Sequence, residues 1–259
     1  MKILAIIQAR MSSSRLPGKV LYEVNGKTML EILVNRVKKS KEITQIVVAT
    51  SKEDDDMKIY EECKSLRVEC FRGSLNNLIE RFYETATYFK ADIVVRITAD
   101  CPLIDPEIID FAISTKIKLH DKFKLITNRL PLTFPDGMDV DVMKFEDLQL
   151  ALNESTNSIE KEHIIPFFVN KGYSIYNFES KEHYFQDLRL TLDYIEDFEL
   201  ISNFIKNFGY ELNLNDIIQI WKEKAHLFES NKKYIPENYY ENYSLFGFEH
   251  KRIITHKLN

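Results

Sequence analysis

The chain has 259 residues, of which 44% are hydrophobic and 29% are charged, as is typical of a globular protein. Its 40 Asp and Glu outnumber its 35 Lys and Arg, and the net charge of −5 argues against a nucleic-acid-binding domain, because such domains are usually basic. Three cysteines argue against a disulfide framework or a zinc site. No segment reaches the ~18 apolar residues of a membrane span, and the apolar run before Gln8 is too short for a signal peptide, so we expect a cytoplasmic protein with no membrane partner.

Apolar runs between polar turns predict strands, and segments with helical spacing of apolar residues predict helices between them. The predicted strands cover residues 2–9, 45–50, 68–71, 92–98, 124–128, 139–143, 173–178 and 187–193. The predicted helices lie near residues 28–39, 54–66, 75–89, 105–118, 145–153, 158–170, 195–207 and 214–229. The early strands are continuous apolar runs, as in a parallel sheet that is covered on both faces. The pattern predicts an α/β fold with a Rossmann-like, doubly wound, mixed but mainly parallel sheet.

A basic loop, QARMSSSRLPGK at residues 8–19, follows the first predicted strand. In doubly wound sheets ligands bind at the carboxyl ends of the strands, so this loop is expected at the ligand edge. It is not a Walker A loop, because the first Gly is missing and Val20 follows Gly18-Lys19. Its backbone N–H groups, its serine hydroxyls, a bidentate Arg10 and the point charge of Lys19 nonetheless suit a polyphosphate. The alternative is a solvated surface turn.

Six blocks of the sequence, in order, resemble the cytidylyltransferases that activate sugar acids, and most closely the branch named for spore-coat polysaccharide biosynthesis. They are QARMSSSRLPGKVL, FRGSLNNLIERFYETA, VVRITADCPLIDPEIID, FPDGMDVDVM, EKEHIIPFF and LRLTLDYIEDFELI. The resemblance implies a nucleotide-diphospho-sugar-transferase-like fold, with a nucleotidyltransferase domain over residues 1–210. Residues 211–259 would form a C-terminal helix and a Tyr-rich tail, packed on the core or lying at a subunit interface. Homodimers occur among the relatives, which is the basis for considering one here.

The same resemblance implies a reaction in which CTP and a small anionic sugar-like acceptor give a CMP-linked product and pyrophosphate. Arg10 and Lys19 would be the catalytic residues, which hold the triphosphate and neutralise the leaving pyrophosphate. The acceptor oxygen could belong to a sugar acid, or to a phosphate or phosphonate. The full set of candidate nucleotide-binding residues is Ala9, Arg10, Met11, Ser13, Arg15, Lys19, Arg72 and Ser74.

Two aspartates at the predicted ligand edge match the metal-binding aspartates of that family, which implies Mg²⁺ as the cofactor. Asp100 ends a strand in TADCP, where Ala99 replaces a common Gly, and Asp193 lies in LTLDYIED, where Tyr194 replaces Thr. Mg²⁺ typically takes one or two carboxylates together with phosphate oxygens and water. The alternatives are a turn-forming role for Asp100 and a helix N-cap for Asp193.

Five further residues are candidates for binding the acceptor: Arg96, Asp136, Asp139, His163 and Arg189. Arg96 interrupts an apolar strand, so it either pairs with a buried carboxylate or reaches the site. The two aspartates could equally form a solvated face, and a lone helical histidine is more often structural. Arg189 leads towards the second predicted metal aspartate and is a natural partner for an anionic acceptor.

Two rival functions fit the same fold. A glycosyltransferase that uses a nucleotide sugar commonly carries an Asp-x-Asp metal motif, which Asp139-Val140-Asp141 matches loosely. The basic loop argues against that reaction, because a glycosyltransferase expels no pyrophosphate. The second rival is a nucleotide-binding protein that does not turn over its ligand. The combination of a basic loop with two metal aspartates argues against it, because binding alone does not require that combination.

Overall fold

The computed structural model describes residues 1–236 and 253–257, and eight strands within these residues form one sheet. Its strands are β1 (Ile3–Gln8), β4 (Gln45–Ser51), β5 (Glu69–Gly73), β6 (Ile93–Thr98), β7 (Leu125–Thr127), β8 (Asp141–Lys144), β9 (Ile175–Glu179) and β10 (Ile253–Lys257). The strand order is β10-β9-β7-β8-β6-β1-β4-β5. Strand β8 runs antiparallel to both of its neighbours, whereas the other pairings are parallel. A short hairpin, β2 (Glu23–Val24) and β3 (Lys27–Thr28), stands apart from this sheet.

Helices cover both faces of the sheet. They are α1 (Met29–Val37), α2 (Met57–Ser65), α3 (Leu78–Tyr88), α4 (Pro106–Leu119), α5 (Phe145–Glu154), α6 (Ser158–Glu162), α7 (Ile164–Asn170), α8 (Ile195–Phe208) and α9 (Leu214–Glu223). Helices α1, α4, α8 and α9 bury apolar side chains on one face, and α3, α5 and α7 do so on the other. This arrangement confirms the predicted doubly wound, mainly parallel α/β fold.

Strand β1 shows why the early strands read as continuous apolar runs. Ala5 and Ile7 belong to the core on one face of the sheet, while Leu4 and Ile6 belong to the core on the other. Successive side chains of a strand point to opposite faces. When helices cover both faces, every position of the strand is buried and is therefore usually apolar. Its carboxyl end, after Gln8, is where the basic loop leaves the sheet.

The predicted strand over residues 187–193 is wrong as a regular strand. The segment is extended but makes a single parallel bridge, between Arg189 and Asp136. Its backbone donors go to loops instead of a neighbouring strand: Leu190 N donates to the Asp136 carbonyl at 2.7 Å, and Leu192 N donates to the Asp100 carbonyl at 2.8 Å. These bonds tie the segment to the two loops that carry the predicted acidic residues.

The predicted helix over residues 158–170 is two helices, α6 and α7, separated at His163, whose backbone is extended (φ −131°, ψ 119°). Pro166 gives the reason, since a proline inside a continuous helix lacks an N–H and clashes with the preceding turn. Restarting the helix at Ile164 puts this proline in the first turn, where it is tolerated. The break leaves His163 exposed between two helices.

Smaller boundary errors occur elsewhere. The helix predicted to begin at residue 54 starts as a 3-10 turn over 54–56, the strand predicted over 139–143 begins at Asp141, and α9 ends at Glu223, followed by a 3-10 turn over 225–228. Ile217 of α9 and Phe228 are buried in the same core as α8. Residues 237–252 and 258–259 of the predicted tail lie outside the described residues. None of the described helices is both long and apolar enough to cross a membrane.

Candidate active site

Three segments that are far apart in the chain meet at one lysine. The ammonium group of Lys19 donates to Asp100 Oδ2 at 3.1 Å and to Asp193 Oδ1 at 2.8 Å. The same oxygen of Asp193 lies 2.7 Å from a guanidinium nitrogen of Arg15. The structure therefore brings together the ends of the predicted basic loop and both predicted metal aspartates. Lys19 is only 7% exposed, so its charge is committed to this contact.

The basic loop is folded around the peptide of Met11. The Met11 carbonyl accepts from Ser13 N and from Gly18 N, both at 2.9 Å, and Met11 N donates to Asp56 Oδ1 at 2.6 Å. Gly18 has φ 72°, a left-handed conformation that favours glycine, and it turns the chain into the short helix that begins at Lys19. Asp56 was missed at the level of sequence, because it lies in an acidic run that is typical of a solvated surface.

A cleft of about 240 Å³ opens beside this contact. Seven of the predicted residues line it: Ala9, Arg10, Ser13, Arg15, Lys19, Asp100 and Asp193. Arg10 is exposed, and its side chain makes no hydrogen bond or ion pair with any other described residue. An unpaired guanidinium at the rim and a paired lysine at the base suit a ligand with several negative charges.

The charges at the base of the cleft hold one another in the ionised state. Burial disfavours the carboxylates of Asp100 and Asp193, but Lys19, and Arg15 at Asp193, more than offset it and lower both pKa values. Burial likewise disfavours the Lys19 ammonium, and the two aspartates outweigh it and raise the pKa of Lys19. All three groups are therefore charged at neutral pH.

Asp197 organises the loop that carries Asp193. One oxygen of this fully buried carboxylate accepts from the backbone N–H groups of Asp193 and Tyr194, both at 2.9 Å. Its two oxygens also accept from the Arg189 guanidinium at 2.9 and 3.0 Å. Sequence reasoning missed Asp197, although its place in LTLDYIED, in the first turn of α8, is a common one for an acid that binds free N–H groups.

Arg189 also links this loop to the predicted acceptor residues. Its guanidinium lies 2.6 Å from Asp136 Oδ2 and 3.4 Å from Asp193 Oδ2. Burial, with repulsion from Asp139, raises the pKa of Asp136 to about 7 even though Arg189 opposes the shift. Burial also raises the pKa of Asp139, against the attraction of Arg129, which lies 2.8 Å away. Asp136 and Asp139 thus form a second acidic pair beside the first.

Arg96 pairs with a buried carboxylate, which is one of the two alternatives that its sequence position left open. It lies 2.7 Å from Asp141 Oδ2, and Asp141 is fully buried and also accepts from Thr127 Oγ1 at 2.7 Å. Desolvation by the surrounding residues, followed by the positive charges of Arg96, Arg129 and Arg10, lowers the pKa of His163 against the attraction of Glu162. This side of the site is therefore rich in positive charge.

Arg72 and Ser74 do not line the cleft. The guanidinium of Arg72 donates to the carbonyls of Ser51 and Glu53 at 3.0 and 2.9 Å, and the Ser74 carbonyl accepts from Arg81 at 2.5 Å. Their predicted role in binding the nucleotide remains a prediction.

Comparison with known proteins identifies the family. A family model described as cytidylyltransferase matches residues 4–234. A Methanocaldococcus jannaschii protein of uncharacterised activity is 32% identical over 245 residues, 93% of this chain and 99% of that protein. The spore coat polysaccharide biosynthesis protein SpsF of Bacillus subtilis is 31% identical over 215 residues, 80% of this chain and 88% of that one. The structure of a cytidylyltransferase from Leptospira borgpetersenii matches with a TM-score of 0.84 and 33% identity over 88% of this chain and 97% of that one. With its sheet topology and the motifs that meet at Lys19, the chain belongs to the cytidylyltransferase family and is a nucleotidyltransferase.

Proposed function

We propose that this enzyme transfers CMP from CTP to a sugar acid, or to a phosphorylated or phosphonate acceptor, in surface-glycan biosynthesis in the cytoplasm, with Mg²⁺ and with release of pyrophosphate. One observation carries the proposal: Lys19 bridges Asp100 and Asp193 beneath a cleft whose rim holds Arg10, a cation that pairs with no side chain of the described residues. The relation to a spore coat polysaccharide biosynthesis protein supports the choice of pathway.

The chain's own cations would bind the triphosphate. Arg10 would hold phosphate oxygens with its planar guanidinium, and Lys19 and Arg15 would face the oxygens that become pyrophosphate. The acceptor oxygen attacks the α-phosphorus, a new P–O bond forms, and the bond from the α-phosphorus to the oxygen that bridges to the β-phosphate breaks. The charge that builds up on the leaving pyrophosphate is stabilised by groups that are already oriented, which is the usual source of catalysis in such a step.

The residues at the base of the cleft fit a divalent cation. Asp100 and Asp193 are carboxylates with lowered pKa values, and they already share one positive charge, that of Lys19. No three Asp, Glu, His or Cys side chains of the described residues form a metal cage, so phosphate oxygens would have to complete the ligand set, as is common for Mg²⁺. When bound there, Mg²⁺ would neutralise charge on the triphosphate and polarise the α-phosphate.

The acceptor would lie on the side of Asp136 and Asp139. Positive charge from Arg129 and from His163, when protonated, would attract an anionic acceptor, and the carboxyl groups would bind its hydroxyls. The rival glycosyltransferase reaction is disfavoured, because Asp141 of the Asp-x-Asp sequence is fully buried and is paired with Arg96.

A pyrophosphate-release assay tests the proposal. Each of the four nucleoside triphosphates would be supplied with Mg²⁺ and a panel of keto-sugar acids, sugar phosphates and phosphonates. We expect release that requires both CTP and one acceptor class, together with a CMP-linked product seen by mass spectrometry. Release with UTP or ATP but not with CTP would overturn the choice of base, and transfer from a nucleotide sugar without pyrophosphate would overturn the reaction.

A further inference from the structure

We infer that the turn over residues 231–234 is a positioning element of the transfer site. Asn231 fixes the loop that carries Asp193, and Tyr234 fixes the ring of Tyr194. The inference rests on the proposed function, because it concerns how a proposed metal ligand and its neighbouring cations are held. Neither residue lies in the six sequence blocks that resemble the family.

Asn231 contacts the hydrogen-bond network around Asp193 from a segment that is distant in the sequence. Its side chain is fully buried, and its Nδ2 donates to Asp197 Oδ1 at 2.8 Å and to the Arg189 carbonyl at 3.1 Å. The other oxygen of Asp197 accepts from Asp193 N at 2.9 Å. A single carboxylate therefore separates the Asn231 amide from the peptide of Asp193. Loss of the amide would let Asp197 and Arg189 move, and Asp193 with them.

Tyr234 supports the same loop through an aromatic stack. Its ring lies parallel to that of Tyr194, with 3.7 Å between the ring centres and 2° between the planes. The guanidinium carbon of Arg15 is 5.2 Å from the centre of the Tyr194 ring, a distance at which cation and ring attract. The hydroxyl of Tyr234 donates to Glu196 at 3.0 Å, which anchors the turn to α8. The stack thus orients the cation that pairs with Asp193.

Packing alone does not account for an asparagine at position 231. Its Oδ1 is buried and has no hydrogen-bond partner among the described residues. A buried polar atom without a partner destabilises the fold, so an apolar side chain would serve packing better. What an apolar side chain could not supply is the donor group of the amide, Nδ2, which binds Asp197 and the Arg189 carbonyl. Groups that orient the ligands of a metal in this way typically change metal affinity by 10–100-fold when they are removed.

The test measures the affinity of the full-length protein for Mn²⁺, with CTP present, by electron paramagnetic resonance. Asn231→Ala is expected to weaken Mn²⁺ binding by at least ~10-fold. Asn231→Ser retains a donor on a shorter side chain and is expected to lie between Asn231→Ala and the wild type, so it tests the idea even if the alanine variant folds poorly. Phe228→Leu is the matched control: Phe228 is 2% exposed and packs on Phe204, with ring centres 5.9 Å apart. We expect it to lower the Tm and leave Mn²⁺ affinity unchanged.

The tyrosine stack is tested separately. Tyr234→Phe keeps the ring and loses the bond to Glu196, whereas Tyr234→Ala loses both. Tyr234→Ala is expected to raise the KM for CTP by roughly 3–10-fold, because the Tyr194 ring that holds Arg15 loses its stacking partner. Tyr234→Phe is expected to keep a KM close to that of the wild type.

The outcomes separate this inference from the proposed function. If the Asn231 variants bind Mn²⁺ as the wild type does, or if Phe228→Leu weakens binding equally, the positioning role is overturned and the reaction is untouched. A wild-type protein that binds Mn²⁺ with CTP but releases no pyrophosphate would overturn the proposed reaction alone. A wild-type protein that binds no Mn²⁺ in the presence of CTP would overturn both.

Discussion

Two pairs of aspartates in this site have the same chemistry and opposite pKa shifts. Asp100 and Asp193 have lowered pKa values, whereas Asp136 and Asp139 have raised ones. Burial disfavours the charged form in all four. The difference lies in the cations. The first pair shares Lys19, and Asp193 also has Arg15. The balance between attraction by cations and the combined effect of burial and repulsion by other carboxylates decides which carboxyl group stays ionised.

The second pair has cations too, but they are divided among more partners. Arg189 lies against Asp136, Asp193 and Asp197. Arg129 lies against both Asp139 and Asp141. The first pair is therefore anionic at neutral pH and suited to a metal ion, whereas both pKa values of the second pair are raised, that of Asp136 to about 7, which suits binding to hydroxyl groups. This division of roles between two neighbouring pairs can be tested by removing cations or carboxylates one at a time.

Removal of Lys19 should have the largest effect. In Lys19→Ala the two aspartates lose their shared cation, so their pKa values rise towards those of the second pair, and the leaving pyrophosphate loses a positive charge. We expect turnover to fall by at least ~10²-fold, the usual size of the loss of one oriented charge at a reacting centre. The measurement is kcat for pyrophosphate release.

Lys19→Arg and Lys39→Ala serve as controls. The arginine keeps the charge and should recover part of the lost rate, while Lys39 is a half-exposed lysine paired with Glu211 and should be dispensable. A Lys19→Ala enzyme that works at the wild-type rate would show that Lys19 is not part of the catalytic machinery. It would also contradict the view that Lys19 sets the first acidic pair apart from the second.

The sequence predicted the first acidic pair better than its supports. Asp100 and Asp193 each follow an apolar segment, Lys19 lies in the loop after the first strand, and the edge rule for parallel sheets places such residues together. Asp56 and Asn231 carry no such signal, because each lies in a polar run that is typical of solvent-exposed chain. Both are buried, since a backbone N–H in one case and a carboxylate in the other needed a partner from a distant segment. Long-range hydrogen bonds of this kind leave no periodic pattern in a sequence.

The hydropathy of the sequence indicates which segments are buried. This is why the fold could be predicted and why one strand assignment was wrong. Strands covered on both faces leave long apolar runs, unbroken over Ile3–Ile7 in β1 and interrupted by Arg96 in β6, so their existence was clear from the sequence. The 187–193 segment has the alternating pattern of a strand, with leucine at every second position, but its hydrogen bonds go to the loops at Asp136 and Asp100. Hydropathy indicates which side chains are buried but not which backbone groups form hydrogen bonds, so the pattern predicts a strand over these residues.

Asp139→Asn should shift the second pair by an intermediate amount. Repulsion from Asp139 is the second cause, after burial, of the raised pKa of Asp136, and the amide removes it while keeping the shape. We expect the pKa of Asp136 to fall from about 7 towards its ordinary value of 3.8, as measured by carbon-13 NMR titration of the carboxyl group. Asp121→Asn, on an exposed turn, is the control and should leave the titration of Asp136 in place. An unchanged midpoint in Asp139→Asn would show that burial alone sets it.

The smallest effect expected is on how stability depends on pH. Because the pKa of Asp136 is about 7 in the folded state and 3.8 is its ordinary value, the folded protein binds more protons than the unfolded chain between these two values. Stability that depends on protonated Asp136 is therefore present at low pH and is lost as the pH rises to about 7. Asp100 and Asp193 have the opposite sign: with lowered pKa values, they contribute stability above about pH 4 that is lost on further acidification.

Urea unfolding at pH 5 and pH 8 measures this difference. We expect the free energy of unfolding of the wild type to fall between these pH values by on the order of 2 kcal/mol more than that of Asp136→Asn, which has no proton to lose at this position. Parallel curves would mean that Asp136 is ionised across this range, as the first pair is, and that Arg189 serves it as fully as Lys19 serves Asp100 and Asp193. Asp136 would then be permanently charged, as Asp100 and Asp193 are, and an acceptor hydroxyl would have to bind to its carboxylate as a donor only.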